Sequence, residues 1–379
     1  MRRPVVGVVG GGQLARMMIP AAVSLGIELR VFAEAPQSPS QLAVTQIGNV
    51  NDLAELRSFS KGLDVLTFEH EHVPQQVLGE LLAEGCNIQP PPTALKAAQN
   101  KWYMRQRMAE LGMPNPIWST AQSAAEVDDF VRQLGGVAIA KTPIGGYDGR
   151  GVRVIKGPLD VVDWLGRIED LGGLILLEER IAFRRELAAL VARNPSGELA
   201  HWPLVETRQL NGVCNVVLAP APDDAPHDSA RAIAEEVASG LGVTGILAVE
   251  LFEDHSGQLY VNELAMRPHN SGHFSIEGSD TSQFEQHLRA VLDLPLGDTS
   301  LRAKHVIMQN LLGRDEDTNL QQRFPAAMQR YPQVKFHDYC KLPRPGRKLG
   351  HLTLAGDSLE QILDQLERAR SYLIDKSEF

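Results

Sequence analysis

The sequence predicts an α/β protein that opens with a parallel βαβ domain and continues into mixed strands, loops and helices. Three observations carry this. A β-branched run, Val5–Val9, leads directly into Gly10-Gly11-Gly12 and then an apolar-periodic stretch, Gln13–Leu25, that stops at Gly26. Strand-like runs return at Glu28–Phe32 and Val65–Glu69. Strands alternating with helices in this order build an open parallel sheet. The chain has 379 residues, enough for two or three domains at roughly 150 residues each.

The elements follow in order. Gln89-Pro90-Pro91-Pro92-Thr93 can continue neither helix nor strand and marks a boundary. Ala94–Leu111 then reads as one helix, stopped by Gly112 and Pro114. Glu126–Leu134 reads as another, followed by a strand at Val137–Lys141 and a glycine-rich loop. Leu174–Glu178 and Glu186–Ala192 are strands, Asp228–Leu241 is a helix, and Ile246–Phe252 with Leu259–Leu264 forms a hairpin. The tail holds short strands, a basic turn at Lys341–Lys348 and a closing helix, Leu359–Leu373. No internal repeat or low-complexity segment interrupts this order.

Composition narrows the function. With 37 basic and 47 acidic side chains the net charge is −10, which excludes nucleic-acid binding through a basic face but leaves small phosphorylated ligands open. Cys86, Cys214 and Cys340 lie far apart without a CxxC, so neither a disulfide framework nor a zinc site is expected, and a reducing cytoplasm fits. No window reaches the roughly 18 apolar residues of a membrane span. Gln13 and Arg16 interrupt the one N-terminal stretch that imitates a signal peptide. The expectation is a soluble cytoplasmic enzyme.

Several motifs carry chemistry. Gly10, Gly12 and Ala15 after a strand, with Glu34 ending the next, match a dinucleotide fingerprint. An NAD-dependent dehydrogenase, a purely structural turn and a seat for another phosphorylated ligand all remain open on that motif alone. Lys141 ends a strand and is followed by Thr142-Pro143-Ile144-Gly145-Gly146-Tyr147-Asp148-Gly149-Arg150-Gly151, whose backbone amides can close on an anion. It is not a Walker A loop, and a surface hairpin is the plainer alternative. Lys101, taken alone, is a surface lysine on a helix. The connector from Glu178 can offer backbone groups to an adenine edge, and Glu186 suits ribose hydroxyls, although an interdomain link would look the same.

Pairing Asp254 with Leu259 across the hairpin sets Phe252 opposite Val261 and Glu250 opposite Glu263 on one face of a half-buried sheet. Opposed carboxylates repel unless a cation lies between them or one is protonated, and two hard oxygen donors suit Mg²⁺. The alternative is two solvated acids. The loop that follows, Arg267-Pro268-His269-Asn270-Ser271-Gly272-His273, adds an anion clamp and two proton carriers. Lys341-Leu342-Pro343-Arg344-Pro345-Gly346-Arg347-Lys348 offers four cations, as a phosphate seat or as a solvated charge run. His70 and His72, alternating with Glu69 and Glu71, lack a visible third ligand and read as a polar strand end rather than a metal site.

The assembled order resembles the ATP-grasp superfamily, specifically its ATP-dependent carboxylases of de novo purine synthesis. The resemblance rests on Gly10-Gly11-Gly12-Gln13-Leu14, Gly145–Gly151, Asn262-Glu263-Leu264-Ala265, His269-Asn270-Ser271-Gly272-His273 and Arg344-Pro345-Gly346-Arg347-Lys348-Leu349-Gly350-His351, which span nearly the whole chain. It implies an ATP-grasp architecture with a Rossmann-like N-terminal domain (1–100), a central subdomain with a mobile glycine loop (101–187) and a C-terminal α+β domain (188–379). In the implied reaction ATP and bicarbonate give carboxyphosphate and ADP, and the exocyclic amine of 5-aminoimidazole ribonucleotide then captures the carboxyl group. A formate-dependent transformylase of the same superfamily is the alternative, disfavoured by the short chain and the Arg344–His351 turn.

The resemblance also assigns residues. ATP would be held by Lys101, Lys141, Gly146, Tyr147, Asp148, Gly149, Arg150, Gly151, Glu178, Glu179, Ile181, Glu186, Gln209, Asn262 and Glu263, with Glu250 and Glu263 on Mg²⁺. Asp148, Arg267, His269 and Lys348 would surround bicarbonate or its phosphorylated form. Gln13, Leu14, Glu71, Arg267, Asn270, Lys341, Arg344, Arg347 and Lys348 would seat the ribonucleotide. A homodimer, with its product used by the pathway mutase, completes the implied picture. The chain departs from the family pattern at Ala15, at Thr142-Pro143-Ile144, at His70 and His72, and at Glu206-Thr207-Arg208-Gln209.

Overall fold

A computed structural model describes residues 2–145, 151–315 and 318–375. The N-terminal unit runs β1 (Val5–Val9), α1 (Gln13–Leu25), β2 (Glu28–Ala33), β3 (Val44–Ile47), α2 (Leu53–Phe59), β4 (Val65–Phe68) and α3 (Gln75–Ala83). Its strands form a parallel sheet ordered β3-β2-β1-β4, as the alternation requires. Gly10 takes φ +109° to turn the chain from β1 toward α1, a backbone that side chains other than glycine's resist.

The single helix expected over Ala94–Leu111 is two, α4 (Pro92–Gln99) and α5 (Lys101–Glu110). Asn100 breaks them: its backbone is extended and its side chain caps α5 by accepting the Tyr103 N–H at 2.9 Å. Pro92, taken in sequence for a breaker, opens α4, where its missing N–H costs nothing.

The central unit comprises β5 (Trp118–Ala121), α6 (Ala124–Gln133), β6 (Ala138–Lys141), β7 (Val152–Ile155), the short α7 (Val162–Leu165) and β8 (Ile175–Glu178). Antiparallel pairing orders its sheet β5-β8-β6-β7. Ser123 and Glu126 cap α6 reciprocally, and Val127, Phe130 and Val131 lay its apolar face on Ala138, Ala140 and Leu177.

The remaining elements are β9 (Phe183–Arg193), β10 (Leu199–His201), β11 (Val205–Leu210), β12 (Val213–Ala219), α8 (His227–Gly240), β13 (Gly245–Asp254), β14 (Leu259–Ala265), α9 (Ser275–Gly278), α10 (Gln283–Val291), β15 (His305–Leu312), α11 (Leu320–Arg330), β16 (Lys335–Asp338), β17 (Lys348–Gly356) and α12 (Leu359–Ile374). Among the described residues the large antiparallel sheet runs β14-β13-β9-β11-β12-β15-β17-β16, with β10 beside β9. The sheet changes between Glu178 and Phe183, and β9 runs straight through residue 187. Unlike the half-buried sheet expected from the hairpin, β13 is covered on both faces. Leu247 and Val249 pack toward α8, whereas Ile246 and Ala248 pack toward Phe274.

Two contacts clamp the N-terminal unit onto this sheet. Leu14, Ala15 and Met18 of α1 pack on Phe284 and Leu288 of α10. His287, fully buried, sits with Nε2 2.9 Å from the Thr67 hydroxyl, while Nδ1 accepts the Ile246 N–H. Among the described residues no helix is long and apolar enough to cross a membrane.

Candidate active site

The cleft between the central and large sheets is held by a buried ion-pair cluster. Arg105, on α5 one turn beyond Lys101, is fully buried and donates to Glu178 Oε1 at 2.7 Å, to the Val261 carbonyl at 2.5 Å and to the Asn262 carbonyl at 3.1 Å. Lys141 meets the other Glu178 oxygen at 2.8 Å and donates to Asn262 Oδ1 at 3.3 Å. Burial alone would raise the Glu178 carboxyl, but Lys141 and Arg105 outweigh it and hold it at about 2. Burial lowers Lys141 more than Glu178 restores it. Through Arg105 and Lys141 this cluster ties α5, β6 and β8 to the middle of β14.

Glu250 and Glu263 do face each other across β13 and β14. The register expected from the turn is nevertheless off by one. Glu253 opposes Leu259 and Leu251 opposes Val261, because Asp254 folds its carboxylate onto the Ser256 and Gln258 amides and so lengthens the turn. A bulge at Asn262 absorbs the extra residue and restores the Glu250–Glu263 pairing. The same bulge turns Asn262 toward Lys141.

The two carboxylates stand deep in the cleft with their tips open, 34% and 42% exposed. Burial opposes ionisation of Glu250, yet the hydrogen bond from His269, with Lys348 and Arg267 near, keeps it below the ordinary range. Burial raises Glu263, and Glu250 adds to the rise against the pull of Lys101, whose Nζ is 3.5 Å from Glu263. A pair that resists double ionisation, with open hard oxygens beside two lysines, fits a divalent cation shared with phosphate oxygens.

On the other side, His269 Nε2 lies 3.1 Å from Glu250, and Arg267 Nε lies 2.8 Å from Glu71. Glu71 sits just after β4, so this pair joins the N-terminal unit to the cleft. Glu69 accepts the Leu14 N–H at 3.2 Å, and a Cβ on Gly12 would collide with its carboxylate. Glu34 accepts the Gly11 N–H and lies 2.5 Å from His70, which stacks on His72. The amides that a dinucleotide pyrophosphate would use therefore face two carboxylates, which argues against the dehydrogenase reading.

The basic turn closes the far side. The Gly346 N–H donates to the Gly313 carbonyl and the Gly313 N–H to the Arg347 carbonyl, each at 2.8 Å, which folds it back, and the Arg347 guanidinium donates to the Leu342 carbonyl. Burial and then the neighbouring Arg344 lower Arg347, a mark of crowded positive charge. Lys341 and Arg267 both stabilise the Glu69 carboxylate against burial, so turn and arginine converge on the end of β4. Lys348 opens β17.

Not every expected side chain points into the cleft. Leu14 is in the core, while Gln13 is half-buried at the start of α1. Asn270 is buried and exchanges amide hydrogen bonds with Asn310 at 3.1 and 2.7 Å. Glu179 accepts the Ile117 N–H, and Ile181 lies half-buried in the connector. Gln209 donates to Glu186 at 2.7 Å, joining two candidates on adjacent strands. Gly151 is the turn residue just before β7, whereas Gly146, Tyr147, Asp148, Gly149 and Arg150 lie outside the described residues. Sequence reasoning passed over Arg105, which stands between Met104 and Met108 on a helix rich in polar residues and is revealed as buried only by the fold.

The ribonucleotide synthetase preATP-grasp domain model matches residues 3–99, the ATP-grasp domain model residues 106–284, and the phosphoribosylaminoimidazole carboxylase C-terminal domain model residues 306–365. The N5-carboxyaminoimidazole ribonucleotide synthase of Mycobacterium bovis is 46% identical over 376 residues, covering 98% of this chain and 88% of its own. The Thermus thermophilus N5-carboxyaminoimidazole ribonucleotide synthetase structure superposes with a TM-score of 0.85 at 34% identity, covering 99% of each chain. An Aspergillus clavatus N5-carboxyaminoimidazole synthase, solved with ADP and 5-aminoimidazole ribonucleotide, gives a TM-score of 0.88 at 29% identity over 99% of each chain. With its three domains in matching order and its sequence related along almost its full length, the chain belongs to the N5-carboxyaminoimidazole ribonucleotide synthase family of the ATP-grasp fold.

Proposed function

We propose that this chain carboxylates 5-aminoimidazole ribonucleotide with bicarbonate at the expense of ATP, giving N5-carboxyaminoimidazole ribonucleotide, ADP and phosphate in purine biosynthesis. The carrying observation is the Glu250–Glu263 pair, flanked by Lys101 and Lys141 on one side and by His269 and Arg267 on the other. A bicarbonate oxygen attacks the γ-phosphorus and ADP departs. The exocyclic amine then attacks the carboxyphosphate carbon, phosphate leaves and the amine loses a proton.

The roles are those the family resemblance implies, and charge and position fit them. Lys101 and Lys141 bind ATP phosphates, and Glu186 with Gln209 holds the ribose. The connector Glu179–Ile181 borders the adenine, while the Glu178 carboxylate fixes Lys141 and Arg105. Glu250 and Glu263 would hold Mg²⁺, which when bound supplies neutralisation of phosphate charge. Arg267, His269 and Lys348 bind the bicarbonate and its phosphorylated form, and Asp148 joins them from the glycine loop. Glu71, the Lys341–Lys348 turn and the start of α1 seat the ribonucleotide, so that the domains close around a labile acyl phosphate and exclude water. In this reading the protein works in the cytoplasm as a homodimer, and a mutase consumes its product.

Phosphate release tests the proposal. It should require bicarbonate and the aminoimidazole ribonucleotide together, and formate should not replace bicarbonate. Equal release with formate would point to a transformylase instead.

A further inference from the structure

Gln283, the first residue of α10, is fully buried beside the His269 loop. Its Oε1 accepts the His269 N–H at 2.8 Å, and its Nε2 donates to the His269 carbonyl at 2.8 Å and to His273 Nδ1 at 2.9 Å. A backbone N–H can only donate and a carbonyl can only accept, so one amide orientation satisfies both. That orientation obliges His273 to offer a lone pair at Nδ1 and carry its proton at Nε2. His273 is fully buried, and burial followed by the charges of His269, Lys348, His337 and Arg267 disfavours its protonation.

The loop is built to meet this amide. Gly272 lies so close that a Cβ there would collide with the Gln283 side chain. Ser275 Oγ accepts the Gln283 N–H at 2.9 Å and donates to the Gly272 carbonyl at 2.6 Å, which locks the helix start to the loop. His269 is thereby gripped at its backbone, while its ring spans Ser271 Oγ at 2.8 Å and Glu250 Oε1 at 3.1 Å.

We infer that Gln283, its amide oriented by the His269 backbone and braced by His273, is a positioning residue for the carboxylation, holding the His269 backbone so that the imidazole stands beside Glu250. The inference rests on the role given to His269 above. Gln283 touches no reactant; it acts only through His269, and this makes it separable from a merely structural residue by a double-mutant cycle.

The experiment compares Gln283→Met, Gln283→Glu, His269→Ala and the Gln283→Met/His269→Ala double variant, with bicarbonate and ATP varied separately and folding followed by thermal unfolding. Gln283→Met should lower kcat about 10- to 100-fold while leaving the KM for ATP within about twofold. Gln283→Glu, which keeps the acceptor but loses both donated bonds, should fall between it and the parent, and it decides the matter if the Met variant does not fold. In the His269→Ala background Gln283→Met should cost less than about twofold more. Parental activity in a folded Gln283 variant, or additive losses in the double variant, would overturn the inference. Parental activity of His269→Ala would instead refute the reading of His269 on which it rests.

Discussion

Replacing Arg105 by methionine removes the guanidinium that joins three parts of the cleft. Glu178 would keep only Lys141, and the Val261 and Asn262 carbonyls would lose their donor. The native pairing holds the Glu178 carboxyl at about 2 instead of the ordinary 4.5. At 1.36 kcal/mol per pH unit that difference corresponds to about 3 kcal/mol, shared with Lys141. Breaking a buried pair from one side typically costs about 3–5 kcal/mol, so Arg105→Met should lower unfolding stability by about that amount. Urea titration at neutral pH measures it. The sign with pH also follows. A depressed carboxyl stabilises fully above 4.5 and loses that contribution as pH falls toward 2, so the parent–variant gap should narrow over that window. A loss below about 1 kcal/mol at neutral pH would refute the claim that this cluster clamps the cleft.

Three further outcomes are expected. Glu250→Gln and Glu263→Gln should each cut phosphate release by about 100-fold or more and raise the Mg²⁺ concentration for half activity, which a metal titration reads. Glu71→Gln frees Arg267 and should raise the KM for the ribonucleotide about tenfold while leaving that for ATP unchanged, as steady-state kinetics can show. His287, which burial lowers from 6.5 to about 3, stabilises the domain junction fully above 6.5 and should withdraw up to about 4–5 kcal/mol as pH falls from 6.5 toward 3. Comparing the pH slope of urea midpoints with that of His287→Asn isolates this term.

The parts of the fold that periodicity and turn residues encode were legible: β1 with its glycine turn, the strand ending at Lys141, and the Glu250–Glu263 hairpin. The hairpin pairing survived an incorrect register only because the Asn262 bulge restored it, and no alternation pattern announces a bulge. Asn100 hid the break between α4 and α5, since a cap inside a continuous apolar pattern looks like a helical residue. α11 was missed because Pro325 lies within it and its first turn is rich in glutamine. The supporting residues were the least legible. Arg105 reaches strands over 150 residues away in sequence, and Gln283 grips a loop from another element. Both depend on packing between elements, whereas Glu263, whose tip is open, belongs to the local hairpin motif.

The transfer of oxygen from bicarbonate to phosphate tests the central claim most directly. If bicarbonate attacks ATP to form carboxyphosphate, one bicarbonate oxygen must remain on phosphorus when the ribonucleotide amine takes the carboxyl group. Turnover with ¹⁸O-labelled bicarbonate, ATP and 5-aminoimidazole ribonucleotide should therefore yield inorganic phosphate carrying one ¹⁸O, together with labelled carboxylated product. Product formation with unlabelled phosphate would contradict the account.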